Sequence, residues 1–446
     1  MKTACKFILP VIVFCITLLI TLFGLGFLFQ TDKKVDPIFL KVVGFWDPKV
    51  FNSLKKEFQE QNPQITIEYE QKDPKRYFPN LKADLVTIKT PDVFWWHSGW
   101  GPQLEKNLDP LPPETLSSAS YEKTYYPVTK TDMAVKGTYR GMPLEIDGLA
   151  LLYNKSIFAS SNFTETPKTW TTLREKYVPS LTLRNEKQIF ASAIALGSVV
   201  NVENYPEIVG LFLLQNGVVF TNKGALILYS QKKSKSNTAA SEALRFFYLF
   251  SNTDKTWDNT QPNSIEAFAK GKTAMIILPA YKIHDLEAMV KKENLKLNFG
   301  VNPLPQLPGN QPVSWASYWA LGVSNKSPEK AASWKLVKFL SGPESLRKVY
   351  RMETEMKGFG RAYPQMDMAK EQTTHPYLAA YLTQAPFAKS WFLNSDTFDN
   401  SLNDSVIAEF KKALARVEKG EGPGDALKKL VITLSPILKK YGIVTK

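Results

Sequence analysis

The sequence predicts an α/β fold with more than one hydrophobic core. Three observations carry this. Residues 39–70 alternate strand, helix and strand: FLKVVGFW reads as a buried strand, Val50, Phe51, Leu54 and Phe58 form one helical face, and QITIEYE alternates Ile65, Ile67 and Tyr69. Such a βαβ unit argues for a parallel sheet. Helices and strands keep alternating through the middle of the chain, as in SIEAFAKGKTAMIILPAY, where Gly271 stops a helix and TAMIIL follows as a buried strand. At 446 residues the chain is too long for a single core.

The most informative stretch is PDVFWWHSGWG, 91–101, which holds three of the ten tryptophans. Asp92, Val93 and Phe94 read as the end of a buried strand, and the rings of Trp95, Trp96 and Trp100 are expected in the turn beyond it. In open α/β sheets, ligands sit outside the C-terminal ends of the strands. This places at least one of these rings in a ligand cleft. A second stretch, YRGMPLEIDGLALLYN (139–154), has a turn at Gly141 and Pro143, then Asp147, then the buried strand LALLY.

Helix signals follow at PKTWTTL, capped by Thr169 or Thr171, and at SEALRFFYLF. Residues 298–313 carry four prolines and read as an exposed loop, and SWASYWALGVS (314–324) as an aromatic strand. PEKAASWKLVKFLS is a helix with Trp334 in the core. The chain closes with SVIAEFKKALARV and DALKKLVITLSPILKKYG, two amphipathic helices separated by GEGPG.

Residues 7–29 contain no charge and follow Lys2 and Lys6, a run of 23 residues long enough to span a bilayer. We read residues 1–30 as an N-terminal transmembrane anchor, with the basic end inside and residues 31–37 as a linker. Phe14 before Cys15 excludes a lipoprotein signal. Gly24-Leu25-Gly26 offers a cleavage pattern, and cleavage would leave the domain secreted or periplasmic. Both cysteines, Cys5 and Cys15, lie in this segment. The rest of the chain therefore has no disulfide, thiol nucleophile or zinc-thiolate site. His97, His284 and His375 show no metal-ligand spacing. The formal charge of +14 comes from scattered lysines without a compact block, so it reads as a solvated surface and not as a nucleic-acid site.

The order of landmarks resembles the extracellular solute-binding proteins of ABC importers, in the sugar-binding group of maltose-binding protein. The marks are EFQEQNPQITIEYE, PDVFWWHSGW with LDPL, YRGMPLEIDGLALLYNKSIF, PKTWTTL, GKTAMIILPAY, PLPQLPG, SYWALGVSNKSPEKAASWKLVKFL and the terminal helices, over about residues 38–442. The resemblance implies two α/β lobes with the ligand in a cleft between them, closing about a hinge. Residues 38–146 and 321–362 would form the N-lobe, and 147–320 and 363–446 the C-lobe. The chain would cross near Glu145–Leu149, Trp315–Leu321 and Gly360–Pro364.

A sugar needs rings for its C–H faces and carboxylates or amides for its hydroxyls. The resemblance points to Trp96, with Trp95 and Trp100 as reserves, and to Trp46 and Asp47 at the end of the first strand. It also points to Asp147 at the first crossing, Tyr281 after the TAM strand, Tyr318 and Trp319 at the second crossing, and Trp391. Trp170 and Tyr153 read as packing and His97 as a polar rim residue. The implied protein is a monomer without a catalytic site, metal or cofactor. Its partners are a carbohydrate and a membrane permease. Two other readings stay open: a non-sugar solute, such as a glycerophosphodiester held by Arg140 and Arg361 or a polyamine, and a glycoside hydrolase using Asp47 and Asp147.

Overall fold

The computed structural model describes residues 36–228 and 235–445. The N-terminal apolar segment and its linker lie outside the described residues, apart from the linker's last two residues. Among the described residues no helix is long and apolar enough to cross a membrane.

Among the described residues, eight strands build the two larger sheets: β1 (Ile38–Gly44), β2 (Ile65–Gln71), β3 (Val93–His97), β4 (Met142–Pro143), β5 (Ala150–Asn154), β6 (Met275–Leu278), β7 (Phe299–Asn302) and β8 (Trp319–Val323). The first sheet has the order β2-β1-β3-β8-β4, and the second β6-β5-β7. β1 pairs in parallel with β2 and β3, as the βαβ pattern requires. β8 returns antiparallel from far along the chain and sets Trp319 opposite His97.

Among the described residues the longer helices are α1 (Pro48–Gln61), α2 (Tyr205–Gln215), α3 (Lys235–Asn252), α4 (Tyr281–Lys292), α5 (Lys330–Leu340), α6 (Pro343–Lys357), α7 (Leu402–Glu418) and α8 (Pro423–Lys440). α1 starts at Pro48, which takes the first helical position, and the Asp47 carboxylate caps it, accepting from the Lys49 N–H at 2.8 Å. It packs with α5 and α6 beside the first sheet. α7 and α8 pack together and against α3, next to the almost wholly buried α2.

Three expectations need revision. The exposed loop predicted at 298–313 begins with β7, which pairs with β5. The aromatic strand 314–324 is broken at 316–318. Trp95 and Trp96 lie within β3 and not in the turn after it. β3 is the central strand of the first sheet and buries both ring-bearing faces.

Trp96 shows why. Its indole fills a slot walled by glycines: a Cβ on Gly141 would stand 2.6 Å from Trp96 Nε1, and one on Gly322 3.0 Å from the same atom. A Cβ on Gly141 would also meet the Leu321 carbonyl oxygen at 2.9 Å, and that backbone cannot yield. Gly141→Ala is therefore expected to destabilise the protein by about 1–3 kcal/mol. A lowered urea midpoint with an unchanged m-value would verify it.

A cavity at three chain crossings

Three segments run side by side between the two sheets. The Leu144 N–H donates to the Trp319 carbonyl (2.9 Å), the Ile146 N–H to Ala362 (3.1 Å) and the Ser317 N–H to Asp147 (3.0 Å). Gly148 bridges to Ala316. Beside these crossings lies a cavity of about 700 Å³, within the range of small-molecule sites.

One wall comes from the C-terminal edge of the first sheet. Phe45 follows β1, His97 ends β3, and Trp319 opens β8. The Trp319 ring is half-buried. It packs edge-on against Phe45 (4.5 Å between centroids), Trp100 (4.9 Å) and His97 (5.1 Å). Behind them the Tyr77 hydroxyl donates to the carbonyls of Val43 and Trp95, tying β1 to β3.

The opposite wall holds Asp147, the first residues of α4 and the loop Ser395–Phe398. Asp147 Oδ1 accepts from the N–H of Gly148 (2.6 Å) and Ala280 (2.9 Å), and Oδ2 from that of Tyr281 (3.1 Å). It thus pins the start of α4 to the first crossing and satisfies N–H groups that the helix cannot. Burial, opposed by these donors and reinforced by Glu145, pushes its carboxyl up to about 7. Tyr281 is 41% exposed, an open ring on the cavity wall, and its hydroxyl donates to Asp396 Oδ2 at 3.1 Å.

The charges lining the cavity are largely spent on one another. Arg361 Nη1 meets Glu145 Oε2 at 2.6 Å, and its Nε meets Glu353 Oε1 at 3.0 Å. Lys282 Nζ lies 2.8 Å from Asp396 and 3.0 Å from Glu203. His97 Nδ1 accepts from the Gly99 N–H, which leaves Nε2 as the protonated nitrogen facing Ser317 Oγ at 3.0 Å. Burial pulls this imidazole down to about 3.

The family model of the bacterial extracellular solute-binding proteins matches residues 53–374. This chain belongs to that family. It is 25% identical over 313 residues to the maltotriose-binding protein of Pyrococcus abyssi, covering 68% of this chain and 61% of that one. It is also 25% identical over 349 residues to the maltodextrin-binding protein MdxE of Bacillus subtilis, covering 75% and 76%. The fold matches the cyclic alpha-maltosyl-1,6-maltose binding protein from Arthrobacter globiformis with a TM-score of 0.72 at 17% identity, over 91% of this chain and 100% of that one. It matches the sugar-binding protein MalE of Xanthomonas citri with a TM-score of 0.71 at 19% identity, over 90% and 98%.

Of the sugar contacts expected from sequence, the fold brings Asp147, Tyr281 and Trp319 to the cavity. The others lie elsewhere. Trp46, Trp96 and Trp100 are at most 1% exposed and do not line it. Trp46 packs on Trp95 at 5.1 Å, and Trp100 stands behind Trp319. Tyr318 is likewise buried, its hydroxyl donating to Asp132. Asp47 is a helix cap. Trp391 is stacked flat on Phe220 at 3.9 Å, away from the cavity. His97, read as a rim residue, is buried in the cavity floor with 3% exposure. Phe45, Arg361 and the Ser395–Phe398 loop were not singled out as sugar contacts. For Phe45 the one available signal was its neighbour: a shift of one residue decides which of two adjacent rings meets the cavity.

The buried imidazole has a pH consequence. Below pH 6.5 the unfolded His97 takes up a proton and the folded one does not until about pH 3. Its contribution to stability is therefore present above pH 6.5 and lost as pH falls. Wild type should lose roughly 2 kcal/mol relative to His97→Asn between pH 6.5 and about 5. Urea titrations of both proteins measure this. Their difference isolates the imidazole from Asp132 and Asp147, whose raised pKa values act with the opposite sign.

Proposed function

We propose that this protein is the extracytoplasmic substrate-binding component of an ABC transporter. It captures an oligosaccharide of the maltodextrin type between two lobes and hands it unchanged to a membrane permease. The observation that carries this is the pairing of half-buried Trp319 and Phe45 on one wall with the open Tyr281 ring on the other, next to the acceptor Asp147. Rings on both walls suit the two C–H faces of a pyranose, and carboxylates suit its hydroxyls. Family membership and relatives that are themselves named for maltotriose and maltodextrin favour the same ligand class.

The lobes are 38–146 with 321–362, and 147–320 with 363–446, and they bend about the crossing segments. Residues 7–29 carry the chain to the membrane, as a retained anchor or an export signal. The binding protein acts as a monomer and is not an enzyme.

The competing ligands fit less well. Arg361 is held by Glu145 and Glu353, and Arg140 donates to the Leu108 carbonyl outside the cavity, so neither offers a free fork for phosphate. A hydrolase built on Asp47 and Asp147 fits less well too, because Asp47 caps α1 and does not line the cavity.

The test is a titration of the protein with maltotriose, followed by tryptophan emission and melting temperature. Binding to the folded state alone raises the stability, and a ligand packed on Trp319 changes the emission. Tyr281→Ala is expected to weaken binding about tenfold or more, a loss of about 1.4 kcal/mol, without lowering the melting temperature of the free protein. Trp391→Phe should leave affinity unchanged. Absence of any sugar response, with a response to a phosphodiester or polyamine, would overturn the carbohydrate reading. Cleavage of the sugar would overturn the receptor reading.

A further inference from the structure

Ser395–Phe398, part of the cavity wall, is backbone in an uncommon conformation. Asp396 (φ 58°), Phe398 (φ 48°) and Asn400 (φ 47°) are left-handed. Asp and Asn tolerate this region, whereas for a bulky residue such as Phe it is a genuine outlier. Backbone of this kind persists only where its surroundings over-determine it. Here the surroundings are specific. Glu207 Oε1 accepts both the Ser395 N–H and the Ser395 Oγ–H, each at 2.6 Å. Asn204 Nδ2 donates to the same Ser395 Oγ at 2.9 Å. Lys282 and the Tyr281 hydroxyl hold the Asp396 carboxylate from the other side.

Glu207 is out of place for a residue of α2. Its neighbours Ile208, Val209, Leu211, Phe212 and Leu213 form an apolar core, yet Glu207 is only 3% exposed. No salt bridge reaches it among the described residues, and its Oε2 has no partner. A buried carboxyl without a cation is costly, and packing α2 does not call for one. Asn204, at φ 53° just before α2, is 4% exposed and also leaves its Oδ1 unpartnered. What both side chains touch is Ser395.

We propose that Glu207 and Asn204 are positioning residues for ligand binding. They sit behind the cavity and fix the Ser395–Phe398 loop so that it and Tyr281 form one continuous wall. This rests on the oligosaccharide reading for its affinity arm only.

The experiment uses the full chain and four variants: Glu207→Ala, Glu207→Gln, Asn204→Gly and Val209→Ala. Glycine keeps the left-handed backbone at 204 and deletes the amide. Val209→Ala is a control that loosens the same helix without touching the loop. Two quantities are read: hydrogen exchange of residues 395–398 in the free protein, and the Kd for maltotriose. Glu207→Ala and Asn204→Gly should each speed loop exchange and raise Kd by about tenfold or more. Glu207→Gln, whose Oε1 still accepts, should restore both to within about threefold. Val209→Ala should lower the melting temperature and change neither. If loop exchange in Glu207→Ala matches that of Val209→Ala, or if Gln fails to rescue, the proposal is overturned. If Glu207→Ala does not fold, Asn204→Gly and Glu207→Gln decide. If wild type does not bind maltotriose, the sugar reading fails and the exchange data still decide the positioning claim.

Discussion

The architecture depends on how closely the chain crossings approach one another. At Gly148 a Cβ would stand 1.9 Å from the carbonyl oxygen of Trp315. Only glycine lets the first and second crossings lie in hydrogen-bonding contact. That contact brings the ends of two separate sheets to one cavity and puts Asp147, one residue earlier, at the start of α4. The third crossing joins through Ile146 and Ala362, and Arg361 locks it to Glu145 and Glu353.

The aromatic residues divide into two classes by a physical rule. Trp46, Trp95, Trp96 and Trp100 fill the first lobe's interior, where their large area stabilises the sheet. Trp319, Phe45 and Tyr281 keep part of their rings open to the cavity. Trp319 belongs to both: one edge rests on Trp100 and Phe45, and the remainder is free. A ring braced in this way offers a flat surface with little side-chain entropy left to lose on binding.

The cavity's charges follow the same economy. Arg361 and Lys282 are each held by two carboxylates, so neither presents an unpaired cation to a ligand. A protein with a formal charge of +14 thus keeps its surplus away from the site. The arrangement suits hydroxyl-rich neutral ligands, whose hydroxyls both donate and accept.

Much of this was legible in the sequence. The βαβ start, the Gly271 boundary, the terminal amphipathic helices and the run of landmarks determined the α/β class and pointed to the family. Asp147 and Tyr281, to which the family resemblance pointed, do line the cavity. What the sequence could not show was the direction of the rings in VFWWH. Periodicity marks those residues as apolar, yet a central strand covered on both faces leaves no polar side to set the phase. Only the tertiary structure decided that Trp96 is wedged between Gly141 and Gly322, which are 181 residues apart, while Trp319 and Phe45 face the cavity. The same holds for Glu207 and Ser395: a contact across 188 residues has no local signature, because the strand and helix periods describe neighbours along the chain and not the segments that folding brings together.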